Sequence, residues 1–125
     1  DEASRVVWAG GLVYNQRLPE LAQGGVDAWL LALDRIAALQ PRHVIGQAVS
    51  SSRKDGELPP AMVATRAYLT ELRALVLKAM DEGRHAGEGG VITMPAYAAW
   101  AGYGERQGFN VQRAWRELEP VWMER

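Results

Sequence analysis

The sequence predicts an α+β fold, rich in helix with few short strands, and three observations carry that reading. Val6-Val7-Trp8 and Leu12-Val13-Tyr14 are short β-branched and aromatic runs on either side of a small-residue corner, Ala9-Gly10-Gly11, the composition of a buried strand entering a tight turn. Apolar residues recur at helical spacing over 26–40 and again over 61–82, the period of an amphipathic helix. Between those helices, residues 42–49 (RHVIGQAV) return to a strand-like composition. Strand, helix and strand in that order read as a βαβ-like unit whose helix covers one sheet face.

The first strand begins near Arg5 and turns at paired glycines, which permit a positive φ or a close backbone approach. The polar loop Asn15-Gln16-Arg17 follows, and Pro19 stops it. In the first helix Asp27 is the expected N-cap. Trp29, Leu30, Leu33, Ile36 and Ala37, with Gln40, form its stripe, and Asp34 and Arg35 lie off it. Pro41 ends this helix by biasing its predecessor out of helical space. Residues 42–49 are the second strand, and 50–60 (SSSRKDGELPP) a polar, punctuated loop. The long helix over 61–82 carries Met62, Thr65, Tyr68 or Leu69, Leu72, Val76 and Ala79 or Met80 on one face, with Gly83 at C′. Residues 84–94 are glycine-rich, with 91–93 as a short extended piece. Pro95 opens a helical turn in which Tyr97, Trp100 and Tyr103 recur every third residue, kept short by Gly102, Gly104 and Gly108. Asn110 is the expected cap of a last helix with Val111, Ala114, Trp115 and Leu118 on one side.

Composition narrows the function classes. The 125 residues, 48% of them apolar, suffice for one domain. Fifteen acidic residues against fourteen Lys and Arg leave a net charge of −1, which argues against a nucleic-acid partner, since such surfaces carry a basic excess. No apolar run reaches the roughly 18 residues of a membrane span, so no membrane partner is expected. The absence of cysteine excludes disulfides and thiolate metal sites and leaves the compartment open. The chain opens Asp-Glu-Ala-Ser-Arg, with no apolar leader, and runs straight into the first strand. That beginning reads as a piece of a longer polypeptide cut at a hairpin tip, or as a chain whose leader has been removed.

Several stretches resemble the metallo-β-lactamase superfamily. Val6-Val7-Trp8-Ala9-Gly10-Gly11-Leu12-Val13-Tyr14 is similar to that family's strand–Ala-Gly-Asp–Leu-Val-Phe segment, with Gly11 at the position of the metal-bridging Asp. His43-Val44-Ile45-Gly46-Gln47-Ala48 is similar to its strand ending in Gly-His-Gly, with Gln47 at the ligand His. Tyr97-Ala-Ala-Trp100-Ala-Gly-Tyr103 and Asn110-Val-Gln-Arg113-Ala-Trp115-Arg-Glu117-Leu118-Glu119 resemble the C-terminal extension of the quinoprotein relay system zinc metallohydrolases and the related sulfur-oxidation-associated proteins. The resemblance implies the C-terminal half of an αββα sandwich over 1–57, with a helical extension over 58–125. It also implies zinc-dependent hydrolysis, through a metal-activated water attacking an ester, thioester or amide, and a periplasmic location. The family's His-x-His-x-Asp-His motif does not occur in this sequence.

The residues themselves carry no complete chemistry. A zinc site takes three or four convergent protein ligands, and His43 and His85 are the only imidazoles. His43 reads as a structural histidine on an apolar strand, His85 as a solvated loop residue. Ser50-Ser51-Ser52 has no histidine spaced to act as its base. Gly87-Glu88-Gly89-Gly90 lacks the lysine and the strand–turn–helix setting of a phosphate loop. The aromatic group Tyr97, Trp100, Tyr103, Phe109, Trp115 and Trp122 reads as core and helix packing before it reads as a stacking face.

Two function classes follow. One is a metallohydrolase-like fragment, inactive as it stands because two family ligand positions are Gly11 and Gln47. The other is a non-catalytic interaction or ligand-binding module. The candidate binding positions are Gly11, Asn15, Arg17 and Gln47, with no catalytic or metal-ligating residue. No cofactor is expected in this chain, zinc belonging to the family it resembles. The expected partners are a missing N-terminal half or a second copy docked through Val6, Trp8, Leu12, Val13, Val44 and Ile45, with room for a small-molecule ligand.

Overall fold

The computed structural model describes the backbone of residues 6–10, 19, 21, 25–39, 43–46, 49–52, 60–84 and 92–124 and the side chains of 19, 21, 25–39, 60–84 and 92–124. Helix α2 (Pro60–Asp81) is the spine. Met62, Thr65, Tyr68, Leu69, Leu72, Val76, Ala79 and Met80 are all buried along it, which is the face that the 3.6-residue period predicts. Thr65 tolerates burial because its hydroxyl donates to the Ala61 carbonyl one turn back, at 2.8 Å. Gly83 ends the helix at φ 79°. Its N–H reaches the Met80 carbonyl at 2.9 Å and that of Arg84 reaches Ala79 at 3.0 Å. This is a Schellman cap, whose left-handed residue a glycine adopts without Cβ strain.

Helix α1 (Val26–Ala38) buries Val26, Trp29 and Leu33, with Leu30, Ile36 and Ala37 half-covered beside them. Asp27 pairs with Arg73 at 2.6 Å and Asp34 with Arg66 at 2.8 Å. The start of α1 therefore meets the later part of α2, and the two helices run antiparallel. Helix α3 (Tyr103–Met123) buries Val111, Ala114, Trp115 and Leu118, as its spacing predicts. Tyr68 of α2 bonds Gln107 and Asn110 near the start of α3, and Trp122 Nε1 donates to Asp81 near its end, at 2.7 Å. These helices run parallel. A tight turn cannot join parallel neighbours, so the chain between them crosses back the length of the helix. It does so through buried Ile92 and Met94 and a 3-10 turn at Pro95–Tyr97.

The body so formed is all-α. Of the residues described to their side chains about 80% are helical and 1% strand, with no sheet. This corrects the expected α+β class, the half αββα sandwich and the metallo-β-lactamase fold that went with it. The physical reason is that periodicity specifies which face of a helix is buried but not what covers it. Here α1 and α3 each pack on α2, and among the described residues the buried hydrophobic cluster consists of residues from these helices, Leu21 ahead of α1, and Ile92 and Met94 ahead of α3. Backbone pairing joins three short segments, β1 (Val6–Gly10), β2 (His43–Gly46) and β3 (Val49–Ser52). β1 runs parallel to β2 with Val7 opposite Val44, and β2 antiparallel to β3 with Val44 opposite Ser51. The single strand expected over 42–49 is thus two, and Ser50, Ser51 and Ser52 lie in β3 instead of a loop. A sandwich needs two sheets face to face, whereas these strands pair side by side in one layer. Among the described residues no helix is long and apolar enough to cross a membrane.

Candidate functional site

Two polar constellations stand out in the helical body. The first is buried where α2, α3 and the segment at Pro19 and Leu21 meet. Asn110 is fully buried. Its Nδ2 donates to the Pro19 carbonyl at 2.7 Å and to the Tyr68 hydroxyl at 3.1 Å, and its Oδ1 accepts from the Leu21 N–H at 3.3 Å. Tyr68 in turn donates to Gln107 Oε1 at 2.6 Å. Burial pushes the Tyr68 phenol well above its ordinary value, against a smaller opposing effect from the Asn110 hydrogen bond. The hydroxyl is therefore a fixed donor, not an acid–base group. Gln107 Nε2 is buried and has no hydrogen-bond partner among the described residues.

Asn110 is not the helix cap that the sequence suggests, since α3 starts at Tyr103 behind Gly102, which holds φ 83°. An asparagine ahead of an apolar run has a capping signature, but here its donors and acceptor are used on tertiary partners. A signal was present: Gln107, Asn110 or Val111, Ala114 and Leu118 share one helical spacing, so the two amides sit on the buried face. Above them Tyr97 packs edge-on to Tyr68 at 5.1 Å and to Trp100 at 4.6 Å. Desolvation and then the charge of Glu71 raise the Tyr97 phenol as well. The Tyr103 hydroxyl accepts from the Met94 N–H at 2.9 Å. These aromatics pack the crossover onto the core, whereas Phe109 is exposed.

The second constellation is a surface cleft of about 230 Å³ lined by Leu21, Gly25, Arg113, Arg116 and Glu117. The expected N-cap of α1, Asp27, lies in its first turn. Gly25 occupies the cap position and offers no side-chain bond. Glu117 does the capping from α3: its carboxylate accepts from the Val26 N–H at 2.6 Å and the Asp27 N–H at 3.1 Å. A Cβ on Gly25 would stand 2.5 Å from Glu117 Oε2, so a larger residue here displaces the capping carboxylate. Arg113 is half-buried and Arg116 exposed, three residues apart on α3. Neither has a carboxylate partner among the described residues, whereas Arg66 and Arg73 are paired and Arg84 and Arg106 have partners of their own.

The candidate positions Gly11, Asn15, Arg17 and Gln47 lie outside the described residues, as does His85. His43 is described only in its backbone, at the start of β2. The strand side chains expected at a dimer interface are likewise outside the described set. Among the described residues no group of three or more His, Cys, Asp or Glu could hold a metal ion. No family model matches the chain and no curated protein matches it, so nothing links it to the metallo-β-lactamase superfamily.

Proposed function

We propose that this chain is a non-catalytic ligand-binding module whose site is the cleft between α3 and the entry to α1. The cleft itself carries the reading: it gathers an apolar floor at Leu21 and two guanidinium groups without carboxylate partners among the described residues. Tyr68 and Asn110, by contrast, are occupied in holding α2, α3 and the Pro19–Leu21 segment together. The metallohydrolase expectation rested on a resemblance to a superfamily to which no family model or curated protein links this chain.

An NMR screen of small fragments of mixed charge against the full chain tests this. Shift changes concentrated at Leu21, Gly25, Arg113, Arg116 and Glu117 support the reading. Fragment shifts confined to other surfaces would overturn it, as would metal-dependent turnover of a generic ester, thioester or lactam.

A further inference from the structure

We infer that the ligand of this cleft carries a phosphate group on a small soluble molecule. The inference rests on the cleft being a binding site and adds the chemistry of what it binds. Of the described arginines, Arg35, Arg113 and Arg116 lack a carboxylate partner among the described residues, and two of these three line the same cleft. Their spacing of three residues on α3 puts them on one side of the helix.

The first N–H groups of α1 are not the binding element, because Glu117 already occupies those of Val26 and Asp27. Those two hydrogen bonds hold the Glu117 carboxylate against the helix end, where the positive end of the dipole offsets its charge. The cleft then presents two guanidinium groups to an incoming ligand. Two cations match a dianion, and a phosphate monoester carries about −1.5 to −2 charge at neutral pH. A planar guanidinium donates two parallel N–H bonds to phosphate oxygens. The size agrees. At about 230 Å³ the cleft falls below the roughly 300–1,000 Å³ of pockets that enclose drug-sized ligands, so it admits a headgroup and not a large cofactor.

The test is titration of the full chain with inorganic phosphate at neutral pH and constant ionic strength, followed by amide and arginine side-chain NMR signals. Saturable shifts at Gly25, Arg113, Arg116 and Glu117 are expected, with acetate binding more weakly. R113Q/R116Q should weaken phosphate binding about tenfold or more, the loss expected when charge-assisted hydrogen bonds are removed. R35Q, which changes an arginine towards the other end of α1 that has no carboxylate partner among the described residues, should leave it unchanged. If the double variant does not fold, R116Q alone, altered at an exposed position, should still weaken binding measurably. The inference is overturned by an undiminished phosphate response in these arginine variants, by a response no larger than that to chloride, or by acetate binding as tightly as phosphate. Fragments that shift the cleft while phosphate does not would overturn the phosphate assignment and leave the binding module standing. Silence from fragments and phosphate alike would remove both.

Discussion

Replacing Asn110 with alanine should be among the most destabilising single changes in this protein. The substitution removes the acceptor of the Leu21 N–H and the donor to the Pro19 carbonyl, and both of those backbone groups belong to buried residues. Each buried backbone group left without a partner costs about 1–3 kcal/mol, so the pair implies about 2–6 kcal/mol, towards the lower end where water can follow the segment. Against a net stability of about 5–15 kcal/mol for a typical domain, that is a large fraction. Tyr68→Phe is the calibrating change. It removes the donor to Gln107 Oε1 but leaves Asn110 with both backbone partners, so it should cost about 1–2 kcal/mol. Because Tyr68 and Asn110 are bonded to one another, the double variant should depart from additivity by at least about 0.5 kcal/mol. Urea unfolding monitored by far-UV circular dichroism measures all three, provided the slope with denaturant is unchanged. An Asn110→Ala loss below about 1 kcal/mol at constant slope would refute the buried lock as described.

Three further outcomes are expected. Gly25→Ala should destabilise by about 1 kcal/mol, because its Cβ drives Glu117 off the Val26 and Asp27 amides. In a Glu117→Ala background the same change should be neutral or stabilising, since Gly25 holds φ −90° and ψ 158°, which alanine adopts with less unfolded-state entropy; equal losses in both backgrounds would remove the close-approach argument. Tyr68 binds its proton more tightly folded than unfolded, so its contribution is complete below the unfolded phenol value of about 10 and is lost as pH rises above it, by up to about 1.4 kcal/mol per pH unit. Tyr68→Phe should flatten that alkaline decline in urea midpoints, and parallel declines in the two proteins would count against it. Gly83→Ala should cost about 1 kcal/mol from its φ of 79° alone, nothing lying within 4 Å of the added Cβ; calorimetry showing no loss would mean the Schellman turn relaxes freely.

The sequence by itself determined α1, α2 and the later part of α3 with the sides they bury, whereas α3 begins at Tyr103 and runs through Gly104 and Gly108, which read as breaks. Val26, Trp29 and Leu33 on α1, the Met62-to-Met80 stripe on α2 and Val111, Ala114, Trp115 and Leu118 on α3 are all buried, because helical periodicity is a local property with a local readout. Gly83 as a stop and Pro95 as a start were legible for the same reason, each acting through its own backbone. What covers those faces was not legible. The expectation of a half sandwich failed because an amphipathic stripe is equally compatible with a sheet or with another helix, and tertiary packing set α1 and α3 on α2. The two misplaced caps share one cause. Asp27 and Asn110 have capping side chains, but the amides at the start of α1 are taken by Glu117, distant in sequence, and Asn110 turns to Pro19, Leu21 and Tyr68. The cleft lay beyond reach for the same reason. Arg113 and Arg116 read as ordinary surface arginines until folding brings Leu21 and Gly25 beside them, and no spacing within one segment encodes a contact that spans most of the chain.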